Sequence, residues 1–380
     1  MAFEYLAEQL AQQKLTHRFR QRHCIAKQQE ANLFCNDKEY LNFSSNDYLG
    51  LNQHPDINHA LQEGVSKFGV SSCSSSLVTG FSYAHNALEN TLCEWLNKPK
   101  CLLFNSGFSA NHGLLSALAS EQTQFWLDKL SHASLIDGAL SGKAKVKRFL
   151  HNNYQQLEQL LLKKSLANNL IVSEGVFSMD GDQADINALQ KIAQKHQAWL
   201  YLDDAHSLGI IGEKGQGSVS INPHVDIVMA TFGKAVATSG AFIACDETLH
   251  DYLINFSRHY IYSTAMSPAI AWATNKSVEI IQKDNWRREK IAELSRLFAK
   301  SLNDNIEMIP TSSSIHAIIV GDEKKSLDIA EKLKAKGIWL TAIRPPTVPN
   351  GTSRLRVTIC ANHNERDIKY LAENINKAIN

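Results

Sequence analysis

Short apolar runs alternate with stretches of helical periodicity from about residue 100 onward, and this alternation restricts the fold more than any other feature. Parallel strands need a crossover helix between them, so the alternation indicates an α/β fold with a parallel sheet covered by helices. The predicted strands are CLLF, FWLD, VKRFL, NLIVSEGV, AWLYLDD, DIVMATF and GAFIACD. Helices such as FSANHGLLSALA and INALQKIAQKHQ, with apolar residues at three- and four-residue spacing, are predicted between them.

A change of pattern near residue 265 predicts a second, smaller domain. Two amphipathic stretches, AIAWATNKSVEIIQK and WRREKIAELSRLFAKSL, precede HAIIVGD, IWLTAI, RLRVTIC and a closing helix, which favours a small mixed sheet. The chain has 380 residues, more than one core usually supports. The predicted division is an N-terminal helix and segment at 1–45, a large domain at 46–265 and a C-terminal domain at 266–380.

Composition narrows the class of protein. The 39 basic and 38 acidic residues leave a net charge of +1 without a long basic block, so no nucleic acid partner is expected. The lysines of KAKVKR alternate with small or apolar residues, as on a solvated edge strand. Seven scattered cysteines favour a reducing cytoplasm, and MAFEYLAEQLAQQKL resembles neither a signal peptide nor a membrane span.

Serine and glycine crowd together in QEGVSKFGVSSCSSSLVTGFSY, at 62–83. A flexible linker has such a composition, but Val70, Leu77 and Phe81 are too apolar for one. We therefore expect an ordered loop that lines a site. Cys73 within it is predicted to be a buried small residue rather than a reactive thiol, because free cysteine is often buried.

Polar residues follow the predicted strands where each strand ends. Ligands of open α/β sheets bind at the carboxyl ends of the strands, so these residues are expected to share one edge. Gly107 and Phe108 begin a predicted helix whose backbone N–H groups suit an anion. The other strand-end residues are His132, Glu174, Ser178, Asp203, His206, Thr231 and Lys234.

Taken singly, each of these residues has a simpler explanation. His132 or His206 alone is more often a packing histidine, Lys234 a surface charge and Asp203 a cap of the following turn. LGIIGEKGQG matches neither GxGxxG nor GK[ST], so a nucleotide site is not indicated. No HExxH or CxxC accompanies the histidines, so no metal is expected. The shared position at strand ends is what favours a functional site.

The combination of groups suggests one cofactor. A confined lysine beside cationic or aromatic groups has its charged form disfavoured, and the neutral amine can condense with a carbonyl. An anion cradle, an imidazole to lie on a ring and a carboxylate to pair with a ring nitrogen complete a site for pyridoxal 5′-phosphate. Lys234 and Asp203 are the candidates for the lysine and the carboxylate.

Eight ordered motifs resemble those of the α-oxoamine synthases, which are fold-type I pyridoxal phosphate-dependent enzymes: NFSSNDYLGL, LVTGFSYAHNALE, LLFNSGFSANHG, LSHASL, EGVFSMDGD, DDAHSLGIIGEKGQG, TFGKA and RPPTVPNGTSRLRVT. The resemblance runs from about Arg20 to the last predicted strand. It implies a large domain with a mainly parallel seven-stranded sheet sandwiched by helices, a smaller C-terminal α+β domain, and a homodimer with its active site between subunits.

The resemblance also implies residue roles. Lys234 would bind the cofactor covalently and later remove the substrate's α proton, Asp203 would pair with the pyridine nitrogen, and His132 would stack on the ring. Residues around the rest of the cofactor would be His206 and Ser178 near its phenolic oxygen, Glu174 beside it, and Gly107, Phe108 and Thr231 at its phosphate, helped by Ser263 or Thr264 of a second subunit. Substrate-binding residues would be Asn46 and Arg356 for the amino acid carboxylate, and Arg20 and Thr347 on the acyl side.

The implied activity is that of an acyltransferase that condenses an amino acid with an acyl thioester and releases carbon dioxide. Among members of the family, IRPPTVPNGT and EGVFSMDGD most resemble the motifs of those that use L-alanine and a pimeloyl thioester. The resemblance therefore implies these two substrates, with the pimeloyl group carried by coenzyme A or acyl carrier protein. His132 would polarise the thioester oxygen. Three alternatives stay open: a member that pairs glycine with acetyl-CoA, a cofactor-binding regulatory module without turnover, and a plain binding protein in which Lys234 is structural.

The sequence departs from the family pattern in three places. It has SSCSSS where GSGGS is usual, DDAHS where DDAHG is usual, and GKAVATSGA where GKxxGxxGG is usual. Side chains there replace bare backbone and restrict access to positive φ. We expect an altered fit of the acyl substrate, while the chemistry at Lys234 survives.

Overall fold

The computed structural model describes residues 2–163 and 166–379, which form two compact units. Unit 1 consists of Met1–Gly50, Met179–Asp182 and Arg287–Asn380, and unit 2 of Leu51–Ser178 and Gln183–Trp286. The predicted boundaries near residues 45 and 265 remain a prediction about folding domains.

The strands in chain order are β1 (Lys27–Gln29), β2 (Asn32–Cys35), β3 (Lys38–Asn42), β4 (Lys100–Phe104), β5 (Thr123–Asp128), β6 (Lys145–Phe149), β7 (Asn168–Glu174), β8 (Trp199–Asp203), β9 (Ile227–Thr231), β10 (Ala241–Cys245), β11 (Ile315–Gly321), β12 (Ile338–Trp339), β13 (Thr341–Ile343) and β14 (Ser353–Thr358). The α-helices are α1 (Tyr5–Leu15), α2 (Pro55–Phe68), α3 (Tyr83–Leu96), α4 (Gly107–Leu118), α5 (Ala133–Leu140), α6 (Tyr154–Lys163), α7 (Ile186–Lys195), α8 (Glu247–Phe256), α9 (Arg258–Ile261), α10 (Pro268–Lys283), α11 (Asn285–Ser301), α12 (Glu323–Ala335) and α13 (Glu365–Ile379).

Unit 2 contains a seven-stranded sheet in the order β4-β10-β9-β8-β7-β5-β6. The strands β6, β5, β7, β8 and β9 are mutually parallel, and β10 is antiparallel to both of its neighbours. This confirms the predicted mainly parallel sheet. β6 lies at the edge with Lys145 and Lys147 exposed, which confirms the predicted solvated edge strand.

The core of unit 2 lies between this sheet and its helices. Leu114 of α4, Phe125 and Leu127 of β5, Val172 of β7 and Ile243 of β10 are completely buried in one apolar cluster. Full burial of a side chain of this size contributes about 1.5–3 kcal/mol. α4 begins where Ser106 and Ser109 form reciprocal side-chain to backbone hydrogen bonds of 3.1 Å, a capping box. The cap and the core together hold the start of α4 beside the strand ends.

Unit 1 contains two small sheets, where the sequence predicted one small mixed sheet. β11, β14 and β13 form an antiparallel sheet, whereas β12 joins β1–β3 in a four-stranded sheet and runs parallel to β3. The single predicted strand IWLTAI is therefore divided between two sheets. The core of the unit includes Phe298, Ile318, Leu355 and Ile368, all buried.

The serine-rich segment differs in one respect from its prediction. Ser76–Gly80 forms a short π-helix, and Val70 and Leu77 are exposed. Cys73 is exposed as well, with φ of +53°, so the predicted burial of its thiol is wrong. The backbone turns there in the left-handed region, and the surrounding serine-rich residues are exposed or half-buried, so no core covers the thiol. Among the described residues, no helix is long and apolar enough to cross a membrane.

Candidate active site

Unit 2 contains a cavity of about 190 Å³ at the carboxyl ends of its parallel strands. Its lining residues are Gly107, Phe108, Asn111, His132, Ser134, Glu174, Asp203, Ala205, His206, Met229, Thr231 and Lys234. The structure thus brings together most of the strand-end residues named from the sequence. It adds Asn111 and Ser134, which the sequence did not single out.

The start of α4 forms one end of the cavity. The first N–H groups of a helix have no partner within the helix and carry partial positive charge, so Gly107 and Phe108 offer donors to an anion. A Cβ atom at Gly107 would lie 3.7 Å from both Met229 and Thr231. Glycine therefore keeps open the space between this helix start and the end of β9.

Asp203 lies at the end of β8 with only 4% of its surface exposed. The side-chain amide of Asn111 donates to its Oδ2 at 2.7 Å, and the N–H of Ala205 donates to its Oδ1 at 2.9 Å. The hydroxyl of Tyr201 donates to Asn111 Oδ1 and orients the amide. Asp203 is thus a buried carboxylate fixed by two donors, which satisfies much of its hydrogen-bonding capacity.

The same amide also belongs to the hydrogen-bond network of His132. Asn111 Nδ2 donates to Ser134 Oγ at 2.8 Å, and that hydroxyl lies 2.7 Å from His132 Nδ1. The backbone N–H of Ser134 also donates to Nδ1, at 3.2 Å. These donors assign Nδ1 as an acceptor and the proton of the neutral ring to Nε2. Burial lowers the pKa of His132, while the charge of Asp203 opposes this.

Glu174 is a buried acid at the end of β7. Burial raises the pKa of its carboxyl well above the usual value, and the charge of Asp203 raises it further. The backbone N–H of His132 donates to Glu174 Oε1 at 2.6 Å and opposes that shift. The carboxyl group is therefore stabilised as the neutral acid beside His132.

Lys234 follows β9 and extends to His206. The Lys234 Nζ and His206 Nε2 atoms are 2.8 Å apart, and His206 is buried. The amine therefore lies in the same cavity as Asp203 and His132. A lysine so placed is held in one position beside a second nitrogen base, which suits an amine that must form a bond and exchange protons.

The residues predicted to bind the substrate lie in unit 1. Arg356 Nη2 donates to Asn46 Oδ1 at 3.1 Å, and Arg356 Nη1 donates to Thr358 Oγ1 at 3.1 Å. The hydroxyl of Tyr48 also donates to Asn46 Oδ1, at 3.2 Å, and burial raises the pKa of Tyr48 to about 12. The structure thus brings Asn46 and Arg356 together.

Arg20 and Thr347, predicted on the acyl side, are also in contact within unit 1. Arg20 Nη2 donates to Thr347 Oγ1 at 2.9 Å. In unit 2, Ser178 is not among the described residues that line the 190 Å³ cavity. Ser263 and Thr264 border a separate small cavity with Phe81, where they neither support nor oppose a role in a second subunit.

Asn111 and Ser134 were missed because neither directly follows a predicted strand, and Asn111 lies inside a predicted helix. One signal was present: Asn111 is a polar residue within the apolar helix FSANHGLLSALA, and a completely buried amide needs partners. Its partner Asp203 is 92 residues away in the chain. Sequence spacing alone could not pair them.

The cavity fits pyridoxal phosphate by the chemistry of its donors. Backbone N–H groups at the start of α4, with Thr231, suit the phosphate, and the fixed carboxylate of Asp203 suits a protonated ring nitrogen. His132 borders the cavity, and Lys234 supplies the amine. At Gly107 the bare backbone leaves the cavity open beside Thr231.

Comparison with known proteins defines the class. The family model described as aminotransferase class I and II matches residues 38–375. A serine palmitoyltransferase from S. paucimobilis, solved with a PLP-myriocin adduct, superposes with a TM-score of 0.93 at 26% identity over 99% of this chain and 97% of its own. The chain belongs to the aminotransferase class I and II family, and its fold is that of the fold-type I pyridoxal phosphate-dependent enzymes.

Within this class, the relatives share one name. The 8-amino-7-oxononanoate synthase of Photobacterium profundum is 44% identical over 367 residues, which cover 95% of this chain and 93% of the relative. The solved 8-amino-7-oxononanoate synthase of Francisella tularensis has a TM-score of 0.78 at 28% identity, over 89% of this chain and 97% of its own. These findings confirm the predicted class, a pyridoxal phosphate-dependent acyltransferase.

Proposed function

We propose that the protein condenses L-alanine with a pimeloyl thioester to give 8-amino-7-oxononanoate, carbon dioxide and the free carrier thiol, a step of biotin biosynthesis. The observation that carries the proposal is a single cavity that holds Lys234, Asp203 and His132, in a chain 44% identical to a synthase of that name. The fold alone does not identify this reaction, because enzymes with related folds act on many substrates.

The cofactor, when bound, supplies the electron-accepting ring that stabilises negative charge at the α-carbon of the amino acid. Lys234 Nζ removes the proton from that carbon, and a positioned base of this kind contributes about 10²–10⁴ in rate. His206, 2.8 Å away, keeps the amine in place. Asp203 would hold a proton on the ring nitrogen of the bound cofactor, and Asn111 keeps the carboxylate oriented.

His132 has a second task on the acyl substrate. Its Nδ1 accepts from Ser134, so its Nε2–H is the donor that can polarise the thioester carbonyl oxygen. Asn46 and Arg356 hold the alanine carboxylate until it leaves as carbon dioxide, with Arg356 kept in position by Thr358. A guanidinium suits this role because its planar fork matches a carboxylate.

A crossed assay tests the proposal. Purified protein is supplied with alanine or glycine and with pimeloyl or acetyl thioester, and thiol release and product mass are measured. We expect turnover with alanine and the pimeloyl thioester, and its loss in Lys234→Ala. Turnover only with glycine and acetyl-CoA would identify the enzyme as the corresponding ligase, and cofactor binding without thiol release would indicate a regulatory module.

We further propose that the protein acts as a cytoplasmic homodimer that accepts its acyl group from coenzyme A or from acyl carrier protein. Large apolar side chains of unit 2 support the dimer: Val70, Val78, Tyr83 and Tyr262 are each about 70% exposed. The bridge between Ser75 and Thr264 brings the segments of Val78 and Tyr262 together, and a contiguous apolar patch is typical of an interface. Sedimentation equilibrium should give twice the chain mass of 42.4 kDa, and the mass of a single chain would refute the dimer.

A further inference from the structure

Unit 2 contains two cysteines that face each other outside the candidate active site. Cys93 lies in the last turn of α3 and is half-buried, and Cys101 is the second residue of β4 and is buried. Both line a cavity of about 580 Å³, which Lys100 and His250 border as well. None of the described residues that line it also lines the cavity of Lys234, so the pair lies apart from the proposed catalytic groups.

A tight turn brings the two cysteines side by side. α3 ends at Leu96, and Asn97 follows it in the left-handed conformation, with φ of +49°. The N–H of Lys98 donates to the carbonyl of Cys93 at 3.0 Å, which closes the helix in a Schellman motif. The chain therefore reverses its direction, and β4 begins at Lys100 and returns against α3.

The alternation of side chains along β4 turns Cys101 toward α3. Leu102 and Phe104 belong to the apolar cluster that packs against α4. Successive side chains of a strand point to opposite faces of the sheet, so Cys101 and Leu103 face the other side, where α3 contacts β4. The thiol of Cys101 is thus directed at the helix that carries Cys93.

The facing side of α3 carries Glu89 and Cys93, which are four residues apart. Four residues of a helix advance by about 6 Å and two residues of a strand by about 6.6 Å, so this pair matches Leu103 and Cys101 of β4. Two sets of contacts follow this register. The backbone N–H of Leu103 donates to the Glu89 carboxyl group, and the thiol and backbone N–H of Cys101 both donate to Cys93 Sγ.

The two thiols differ in their reactivity. Hydrogen bonding from the Cys101 thiol lowers the pKa of Cys93; burial opposes this shift, and the charge of Lys100 adds to it. Burial raises the pKa of the Cys101 thiol well above its usual value, and the hydrogen bond to Cys93 raises it further. Because the thiolate is the form that attacks a disulfide, Cys93 is the thiol that reacts first.

We propose that Cys93 and Cys101 form a redox-active pair that a low-molecular-weight disulfide converts into an internal disulfide. Cys93 Sγ attacks one sulfur of the reagent, whose S–S bond breaks and releases a thiolate. Cys101 Sγ then loses its proton, attacks Cys93 Sγ and releases the second thiolate. The two cysteines lose two electrons and two protons in total, and the reagent gains them as two free thiols. The proposal does not depend on the reaction at Lys234.

Peptide mapping gives the first test. The holoenzyme, with its exposed thiols removed by Cys24→Ser and Cys73→Ser, is treated with oxidised glutathione. Free thiols are then alkylated, and trypsin cleaves after Lys100, between the two cysteines. We expect a disulfide-linked pair of peptides that contain Cys93 and Cys101 of the same chain, and we expect dithiothreitol to separate them. Absence of this pair at every glutathione concentration, or a disulfide between two chains, would overturn the proposal.

Single substitutions in the same background give the second test. Cys101→Ala should stop the reaction at one glutathione on Cys93, whereas Cys93→Ala should form no disulfide and leave the buried Cys101 unmodified. The matched control Cys245→Ala removes a buried thiol that packs on the α4 side of the same sheet, and it should leave the cross-link unchanged. Glutathione on Cys101 in Cys93→Ala, or loss of the cross-link in Cys245→Ala, would contradict the assignment.

The pH dependence gives the third test. The lowered pKa of Cys93 means that its thiolate forms at lower pH than that of an ordinary thiol. In Cys101→Met, which keeps a sulfur but loses the donor, the midpoint should therefore move upward. In the protein with both cysteines, the rate of reaction with oxidised glutathione should be half-maximal below about pH 8.5, the pKa of an unperturbed cysteine. A midpoint above that value, or the same midpoint in Cys101→Met, would show that Cys101 does not activate Cys93.

Discussion

Asn111 illustrates how one amide can set the state of a whole site. It donates to Asp203 Oδ2 at 2.7 Å and to Ser134 Oγ at 2.8 Å, and it accepts from the Tyr201 hydroxyl. Ser134, which accepts from this amide, also donates its backbone N–H to His132 Nδ1. The carboxylate and the imidazole are therefore oriented by a residue that need not touch the substrate.

Asn111→Ala should weaken cofactor binding. A hydrogen bond to a charged group contributes about 1.5–3 kcal/mol, so we expect a rise of about 10- to 100-fold in the Kd for pyridoxal phosphate. Titration of the apoenzyme, followed by intrinsic fluorescence, measures that Kd without turnover. Asn58→Ala, at an exposed position of α2, is the control and should leave it unchanged. An unaltered Kd in Asn111→Ala would show that Asp203 does not need this donor.

Among the secondary-structure elements, the sequence predicted the strands that are buried on both faces. Runs such as IVMA of β9 and AFIA of β10 are apolar at every position, and all of these residues are buried. β1–β3 were not predicted, because Lys27–Gln29 is polar and exposed and the two following strands are short and mixed. Their pairing depends on tertiary contacts that residue pattern does not encode.

The loop after Lys234 adopts a conformation that favours glycine. Ala237 has φ of +59°, within the segment where the resembled family has more glycine, and its N–H donates to the carbonyl of Lys234 at 2.9 Å. Cys73, in the serine-rich departure, has φ of +53°. Ala237 and Cys73 therefore both adopt the left-handed conformation. This conformation costs free energy for a residue with a side chain and little for glycine.

Ala237→Gly should therefore stabilise the protein. The left-handed conformation costs alanine about 1–2 kcal/mol, and the greater entropy loss of glycine on folding offsets about 0.5–1 kcal/mol of the relief. We expect a net gain of about 0.5–1 kcal/mol in the free energy of unfolding, measured by urea denaturation. The control Ala235→Gly, at a buried position with ordinary φ, should be destabilising. Equal destabilisation by both changes would show that the left-handed conformation of Ala237 is not strained.

For the molecule as a whole, the sequence predicted the fold class and the cofactor. It did not predict how the chain is distributed between the two units. Unit 1 combines residues before Gly50 with residues after Arg287 and a four-residue segment, Met179–Asp182. A linear pattern indicates where a strand or helix lies, yet it does not show which distant segments pack together. The same reason explains why Arg20 and Thr347, 327 residues apart, could be linked only by resemblance.

We propose that the amine of Lys234 is the covalent attachment point of pyridoxal phosphate. Reduction of the holoenzyme with borohydride, followed by proteolysis and peptide mass mapping, tests it most directly. We expect a pyridoxyl phosphate mass on the peptide that contains Lys234, and its loss in Lys234→Ala. A stable adduct on another lysine, or none on a protein saturated with the cofactor, would contradict the claim.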